Sequence, residues 1–285
     1  MKYTEQAIVF NCSDCRLIGI VTLPETAGET GILILTGGPQ YRAGSHRQFT
    51  LLARQLACQG YAAMRFDYRG MGDSEGDARN FEVVNEDIQA AIDSFLKQAP
   101  GLHRVVIWGL CDAASAALYY AHTDARVKGL VLLNPWVHTE AGAAHSRIRH
   151  YYLSRLMQRS FWIKLLSGKI ELNKSAGDLG KSARSVITTA KAYAPADPRN
   201  SGFIARMRDG LKNYQGKVLF ILSGNDLVAQ EFITLTQQDI HWKKLCQSST
   251  ITRETVKQAT HTFSSHIWRD QVTNLTLQWL SRQDL

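Results

Sequence analysis

The feature that most constrains this chain is an alternation. Short continuous apolar runs occur at 31–36 (GILILT), 61–68 (YAAMRFDY), 103–110 (HRVVIWGL), 127–135 (VKGLVLLNP) and 217–224 (KVLFILSG). Runs of this length fit strands buried on both faces. Between them lie helical stretches: FTLLARQLACQG closed by Gly60, VVNEDIQAAIDSFLKQ ending before Pro100, and CDAASAALYYAH from Cys111. Such an alternation implies a parallel sheet with helices on both faces.

The ends complete the pattern. AIVFNCSDCRLIGIVTLP reads as two strands joined at Ser13-Asp14, an antiparallel hairpin on one edge. A helix near 229–239, an edge strand in STITRETVK and an amphipathic helix in SHIWRDQVTNLTLQWLSRQ close the chain. The expectation is an α/β, doubly wound, mostly parallel eight-stranded sheet. The alternation breaks from about 137 to 214, so a helical cap is expected there, inserted after strand 6. Residues 1–136 and 215–285 then form the core.

The charge sits in the break. The chain carries a net +8, yet residues 138–217 hold 15 Lys and Arg against 5 Asp and Glu. The remainder holds 18 against 20. A basic cap suits an anionic small-molecule substrate, or a weak contact with an anionic membrane surface; the other reading is a solvated insert. No nucleic-acid-binding motif occurs. No stretch of eighteen apolar residues occurs, and MKYTEQAIVF lacks the apolar core of a secretory signal, so a cytoplasmic protein is expected. Five Cys fit reduced thiols in that compartment. Cys12 and Cys15 make a lone C-x-x-C, read as two thiols flanking a hairpin turn. No metal-ligand cluster or cofactor motif is visible, so no metal and no cofactor are expected.

Ligands of doubly wound sheets sit beyond the carboxyl ends of the strands. There, Gly109-Leu110-Cys111-Asp112-Ala113 links a strand directly to a helix. This is the position of a nucleophile elbow, with Cys for the usual Ser and Ala for the final Gly. A helix N-terminus favours a thiolate. Asp226 ends the strand at 217–224, and His261 lies between the last strand and the last helix. Cys111 as nucleophile, Asp226 as acid and His261 as base follow in a workable order. Asp124 precedes a strand and Asp197 falls in the insert, so both are weaker candidates for the acid. Oxyanion donors are expected from the N–H groups of Asp112 and Gly38, since Pro39 cannot donate.

Asp112 is out of place in such a site. Its carboxylate should disfavour an oxyanion. It reads either as a first-turn Asp placed against the helix dipole, or as a contact to a cationic substrate group or to Arg42. RGMGDSEG lacks the G-K-[ST] ending of a phosphate loop. It reads as turns supporting the elbow, with Asp67 and Arg69 pairing to backbone or to each other. Arg42, His46 and Arg47 lie beyond the oxyanion glycines, either recognising an anionic head group or merely solvated. Trp136 and His138 follow strand 6, either lining the pocket mouth or packing in the cap.

LTGGPQ, RFDYRGMGDSEG, WGLCDAA, LSGNDLV and THTFSSH together resemble the α/β-hydrolase superfamily over nearly the whole chain. GGPQYRAGSHRQF, FDYRGMGDSEG and GLCDAASA resemble a narrower group, the type 1 hydrolases associated with the exosortase A system of exopolysaccharide-producing bacteria. The resemblance implies a cytoplasmic enzyme serving exopolysaccharide biosynthesis, with no substrate named. The residues themselves suggest an esterase or thioesterase forming a thioester at Cys111. A thiolate suits activated acyl donors, strained lactones or a phosphate-bearing thioester. Acyl transfer to a saccharide or lipid is the second reading. A non-catalytic ligand-binding protein on the same fold is the third.

Overall fold

The computed structural model describes residues 2–38, 40–137 and 198–285. It contains one eight-stranded sheet in the order β1-β2-β4-β3-β5-β6-β7-β8. The strands are β1 Tyr3–Cys12, β2 Cys15–Pro24, β3 Thr30–Leu35, β4 Ala62–Phe66, β5 Arg104–Leu110, β6 Val127–Leu133, β7 Lys217–Ser223 and β8 Ile251–Val256. β1 pairs antiparallel with β2, and β2 with β4; every other pairing is parallel. The eight-stranded, mostly parallel sheet read from the sequence is thus the sheet observed. Cys12 and Cys15 face each other as the last pair of the β1–β2 hairpin, on either side of Ser13-Asp14.

Burial explains the apolar runs. β3 and β4 are buried at every residue, and β5 and β7 at every residue but the first. β1 alternates along its buried half, as an edge strand with one wet face should. Helices α1 Gln48–Cys58, α2 Asn85–Gln98, α3 Asp112–Tyr120, α4 Pro198–Asn213, α5 Leu227–Gln238, α6 Ile240–Cys246 and α7 His266–Arg282 are described. α6 was not expected from the sequence: seven residues give too few turns for a legible period. Its Trp242 is nonetheless fully buried and packs edge-on against Phe232 of α5.

The chain divides into two compact units, residues 1–137 with 206–285, and residues 138–205. Of the second unit, 138–197 lie outside the described residues, and the expected helical cap falls mostly there. The core packs Ile32, Ile34, Val106, Val131 and Leu219 of the sheet against Phe49, Leu52 and Leu56 of α1 and Trp279 and Leu280 of α7.

The topology locates the site. From β3 the chain runs outward to β4, then returns to β5 on the other side of β3. The strand order reverses there, which opens a crevice beyond the carboxyl ends of β3 and β5. Gly37-Gly38 leaves one of those strands and Cys111 leaves the other. Gly109 lets α3 close over β5: a Cβ on it would stand 2.8 Å from the carbonyl group of Ala113.

The 67–87 segment is pinned by buried charge. Arg69 donates to Asp87 through Nε and Nη2, and its backbone N–H donates to the same carboxylate at 2.9 Å. Both side chains are almost wholly out of water. Asp67 instead pairs with Arg42 and accepts the backbone N–H of Asp73 at 3.2 Å. Asp67 and Arg69 therefore bond backbone, as expected, but not each other, because each has a nearer opposite charge. Removing one partner strands the other as a buried charge. Asp87→Ala is expected to destabilise the fold by about 3–5 kcal/mol in a urea melt, whereas Glu86→Ala, at an exposed partner of Arg69, should leave the melt close to that of wild type.

Candidate active site

Cys111 sits in the turn between β5 and α3 with φ 63° and ψ −124°. A non-glycine residue at positive φ is strained backbone that the surroundings must hold. Here the holding bonds are visible. The Cys111 N–H donates to Leu133 O at 2.9 Å, and the Cys111 carbonyl accepts from Ala114, Ser115 and Trp136 N–H groups at 3.1, 3.2 and 3.2 Å. The half-buried thiol lies at the head of α3.

Asp226 caps α5, accepting from Val228 and Ala229 N–H at 3.4 and 3.0 Å. Its Oδ2 also meets His261 Nδ1 at 2.9 Å. Cys111 lies near enough to the His261 side chain to act on its charge. The three side chains selected from the sequence thus come together in one chain, although they belong to three separate strand ends. Asp124 is engaged elsewhere, by Arg126 and by the Tyr120 hydroxyl. Asp197 lies outside the described residues.

Burial pulls His261 toward its neutral form, but hydrogen bonds and charge from Asp226 and Cys111 outweigh it and push the imidazole up to about 10. A pKa raised in the folded state stabilises the fold fully below the ordinary 6.5, and that contribution disappears as pH rises through about 10. Wild type is therefore expected to lose Tm between about pH 6.5 and 10 more steeply than His261→Gln. Parallel melts at closely spaced pH values check this.

Two polar residues that sequence reasoning missed support the histidine loop. Asn134, fully buried at the end of β6, donates from Nδ2 to the His261 carbonyl at 3.0 Å and to Ser223 Oγ at 2.8 Å. It also accepts the Ser223 N–H at 2.8 Å, and Ser223 Oγ donates to Thr260 O at 3.0 Å. The available signal was a polar residue closing each of two otherwise apolar strand runs.

The oxyanion site departs from expectation. Gly38 N–H does point into it, but it donates to Asp112 Oδ2 at 2.8 Å. Asp112 Oδ1 accepts Ala113 N–H at 2.9 Å, and Asp112's own N–H lies close enough to act on the carboxylate's charge. One of the two amides expected to receive a substrate oxygen, that of Gly38, therefore bonds a resident carboxylate. Burial pushes the Asp112 carboxyl up, and the three backbone N–H groups partly offset that. Arg42 makes no part of this arrangement. Its guanidinium pairs with Asp67 and, at 2.7 Å, with Asp73. A wholly buried carboxylate at Asp67 demands a counter-charge, and Arg42 supplies it.

The remaining residues are peripheral or structural. His46 and Arg47 are exposed in left-handed backbone (φ 52° and 58°) at the start of α1. Trp136 is half-buried, and its carbonyl accepts from Ser115 Oγ at 2.8 Å, tying the segment after β6 to α3. His138 lies outside the described residues. Among the described residues no His, Cys, Asp and Glu cluster could hold a metal ion, and no helix is long and apolar enough to cross a membrane.

Carried in this chain order on a doubly wound sheet, the elbow, acid and histidine define an α/β-hydrolase. Residues 41–262 match the family described as serine aminopeptidase, S33, and the chain belongs to that hydrolase family. The family description names a serine, whereas this elbow carries Cys111. Over 136 residues the chain is 31% identical to the quorum-quenching protein AidA of Acinetobacter baumannii (strain MDR-ZJ06). That match covers 45% of this chain and 43% of AidA, so the chain spans less than half the length of that relative. In fold it is similar to the esterase Pf2001 of Pyrococcus furiosus (TM-score 0.65, 13% identity, covering 99% of this chain and 93% of that one). It is likewise similar to Est1E of Butyrivibrio proteoclasticus with bound ferulic acid (TM-score 0.62, 16% identity, covering 97% and 99%).

Proposed function

We propose that the protein is an acyl hydrolase, an esterase or thioesterase, working through an acyl-enzyme thioester on Cys111. The observation that carries this is the meeting of Cys111, at a strained elbow, with a His261 that is hydrogen-bonded to Asp226. With Nδ1 facing Asp226, the other ring nitrogen of His261 serves the sulfur, and Asp226 fixes that tautomer. Sγ bonds to the substrate carbonyl carbon while His261 holds the thiol proton, and the displaced electron pair moves onto the carbonyl oxygen. Collapse breaks the bond to the leaving alcohol or thiol, which departs with the proton from His261. Water then gives a proton to His261 and its oxygen to the carbonyl carbon. The C–S bond breaks, and the sulfur regains its proton.

The substrate is proposed to be a small acyl compound with an anionic group, a reading supported by the 15 Lys and Arg against 5 Asp and Glu in residues 138–217. The narrower motif resemblance is what supports reading the reaction as one that serves exopolysaccharide biosynthesis in the cytoplasm, with transfer to a saccharide or lipid acceptor as a variant of the same chemistry. One observation favours a different reading. A carboxylate in the oxyanion site suits a non-catalytic ligand-binding protein. Turnover of a panel of aryl esters and acyl thioesters, neutral and phosphate-bearing, separates these. The hydrolase reading expects turnover of at least one activated donor, faster for the phosphate-bearing member of a matched pair. Absence of turnover across the panel in folded protein would favour the binding reading.

A further inference from the structure

We propose that Asp112 gates the acyl site: its carboxylate closes the oxyanion pocket at rest and opens it by turning to the hydroxyl of Tyr68. This rests on the acyl-hydrolase reading above. The closed position is a built seat. Gly38 N–H bonds one carboxylate oxygen and Ala113 N–H the other. Gly37 lies so close to Oδ1 and to the Leu110 carbonyl that no Cβ fits there. A substrate carbonyl oxygen cannot share those amides with an anion already bound to them.

The cavity beside this seat offers room for the second position. Gly38, Asp112 and Ala113 form one wall of a cavity of about 180 Å³, whose other lining includes Tyr68, Met71, Arg79 and Phe81. That volume exceeds what a carboxylate group needs, since one water occupies about 30 Å³ of the liquid. The Tyr68 hydroxyl is buried and finds no hydrogen-bond partner among the described residues. A buried donor without an acceptor is destabilising, so Tyr68 gains when a carboxylate reaches it. Arg79, exposed on the lining, favours the same move by its charge. Rotation of the Asp112 side chain exchanges one set of donors for the other. It leaves the N–H groups of Gly38 and Asp112 free for the oxyanion.

Asp112 is then a specificity-determining residue and Tyr68 a positioning residue acting through it. Only the open fraction accepts a carbonyl oxygen, so simple donors are handled slowly in proportion to that fraction. The test is a double-mutant cycle on kcat/KM for p-nitrophenyl acetate and S-phenyl thioacetate. Asp112→Ala should raise kcat/KM by about tenfold or more, below the 10²–10³ attributed to an oxyanion donor. Asp112→Asn, which lacks the charge, should give a smaller rise. Tyr68→Phe should lower kcat/KM by about threefold to tenfold where Asp112 is present and have no effect in the Asp112→Ala background. A purely structural tyrosine would lower both backgrounds alike. Alkylation of Cys111 by iodoacetamide forms no tetrahedral oxyanion, so its rate in each variant reports thiol reactivity alone and is divided out of the kcat/KM comparison.

Unchanged or reduced kcat/KM in folded Asp112→Ala and Asp112→Asn, with Cys111 still acylated in wild type, would overturn the gate and leave the hydrolase reading standing. An equal effect of Tyr68→Phe in both backgrounds would also overturn it. Failure of every variant, wild type included, to acylate at Cys111 would remove the hydrolase reading and the gate together.

Discussion

A Cys111→Ala protein should melt like wild type and lose at least about 10³-fold in turnover of any donor that wild type accepts. The fold should tolerate the change because the side chain is only half-buried, and the bonds that hold its φ of 63° are all backbone bonds. The activity should not, because no other thiol meets His261. Cys58 is exposed on α1, Cys246 lies on α6, and Cys12 and Cys15 sit at the hairpin of the opposite edge. Steady-state rates beside a thermal melt check both halves. A variant that melts normally and turns over at the wild-type rate would remove Cys111 from the chemistry.

The second large effect is expected at Asp226, where shape and chemistry can be separated. Asn is as good an N-cap as Asp, so Asp226→Asn should keep the bonds to Val228 and Ala229 and most of the stability. It should still lose about 10⁴-fold in kcat, because an amide at that position no longer enforces the imidazole tautomer that serves the sulfur. Asp226→Ala should lose the same activity and, in addition, about 1 kcal/mol of stability from the missing cap. If Asp226→Asn retained near-wild-type kcat, its bond to His261 would be structural only.

The sheet was legible because burial on both faces writes itself as an unbroken apolar run, and β3 to β7 all carry one. Among the described α-helices α6 was the unreadable one, being held by one buried Trp242 rather than by a repeating face. That Cys111, Asp226 and His261 meet at the strand ends was legible for a related reason. Each leaves the carboxyl end of a readable strand, so their chain order stood in for their geometry.

Contacts between side chains and distant backbone were not legible. Asn134 and Ser223 act through the carbonyls of His261 and Thr260, which no motif records. Asp112 reaches an amide 74 residues earlier in the chain. Its position on the first turn of α3 fits both readings made from the sequence. Which group it bonds depends on a rotamer and on the path of the Gly37-Gly38 turn. Arg42 shows the same limit: as loop sequence it reads as ligand recognition, until the folded chain brings buried Asp67 beneath it.

The departures of this elbow from the serine of its family belong together physically. An oxygen nucleophile needs its proton removed during attack, whereas a thiol beside a charged imidazole is already activated. His261, held protonated to about pH 10 by Asp226 and Cys111, is such a partner. A resident anion at Asp112 is then compatible with acyl chemistry, provided that it can leave the oxyanion site.

Intact-protein mass tests the central claim most directly. Wild type and Cys111→Ala would each be mixed with p-nitrophenyl acetate and S-phenyl thioacetate, quenched in acid within seconds and weighed, with the modified peptide then mapped. The expected result is one acetyl group per chain on wild type, located on Cys111, absent from Cys111→Ala and lost on standing as water completes the cycle. Unmodified wild type, or acetyl groups spread over surface lysines equally in both proteins, would contradict covalent catalysis at Cys111.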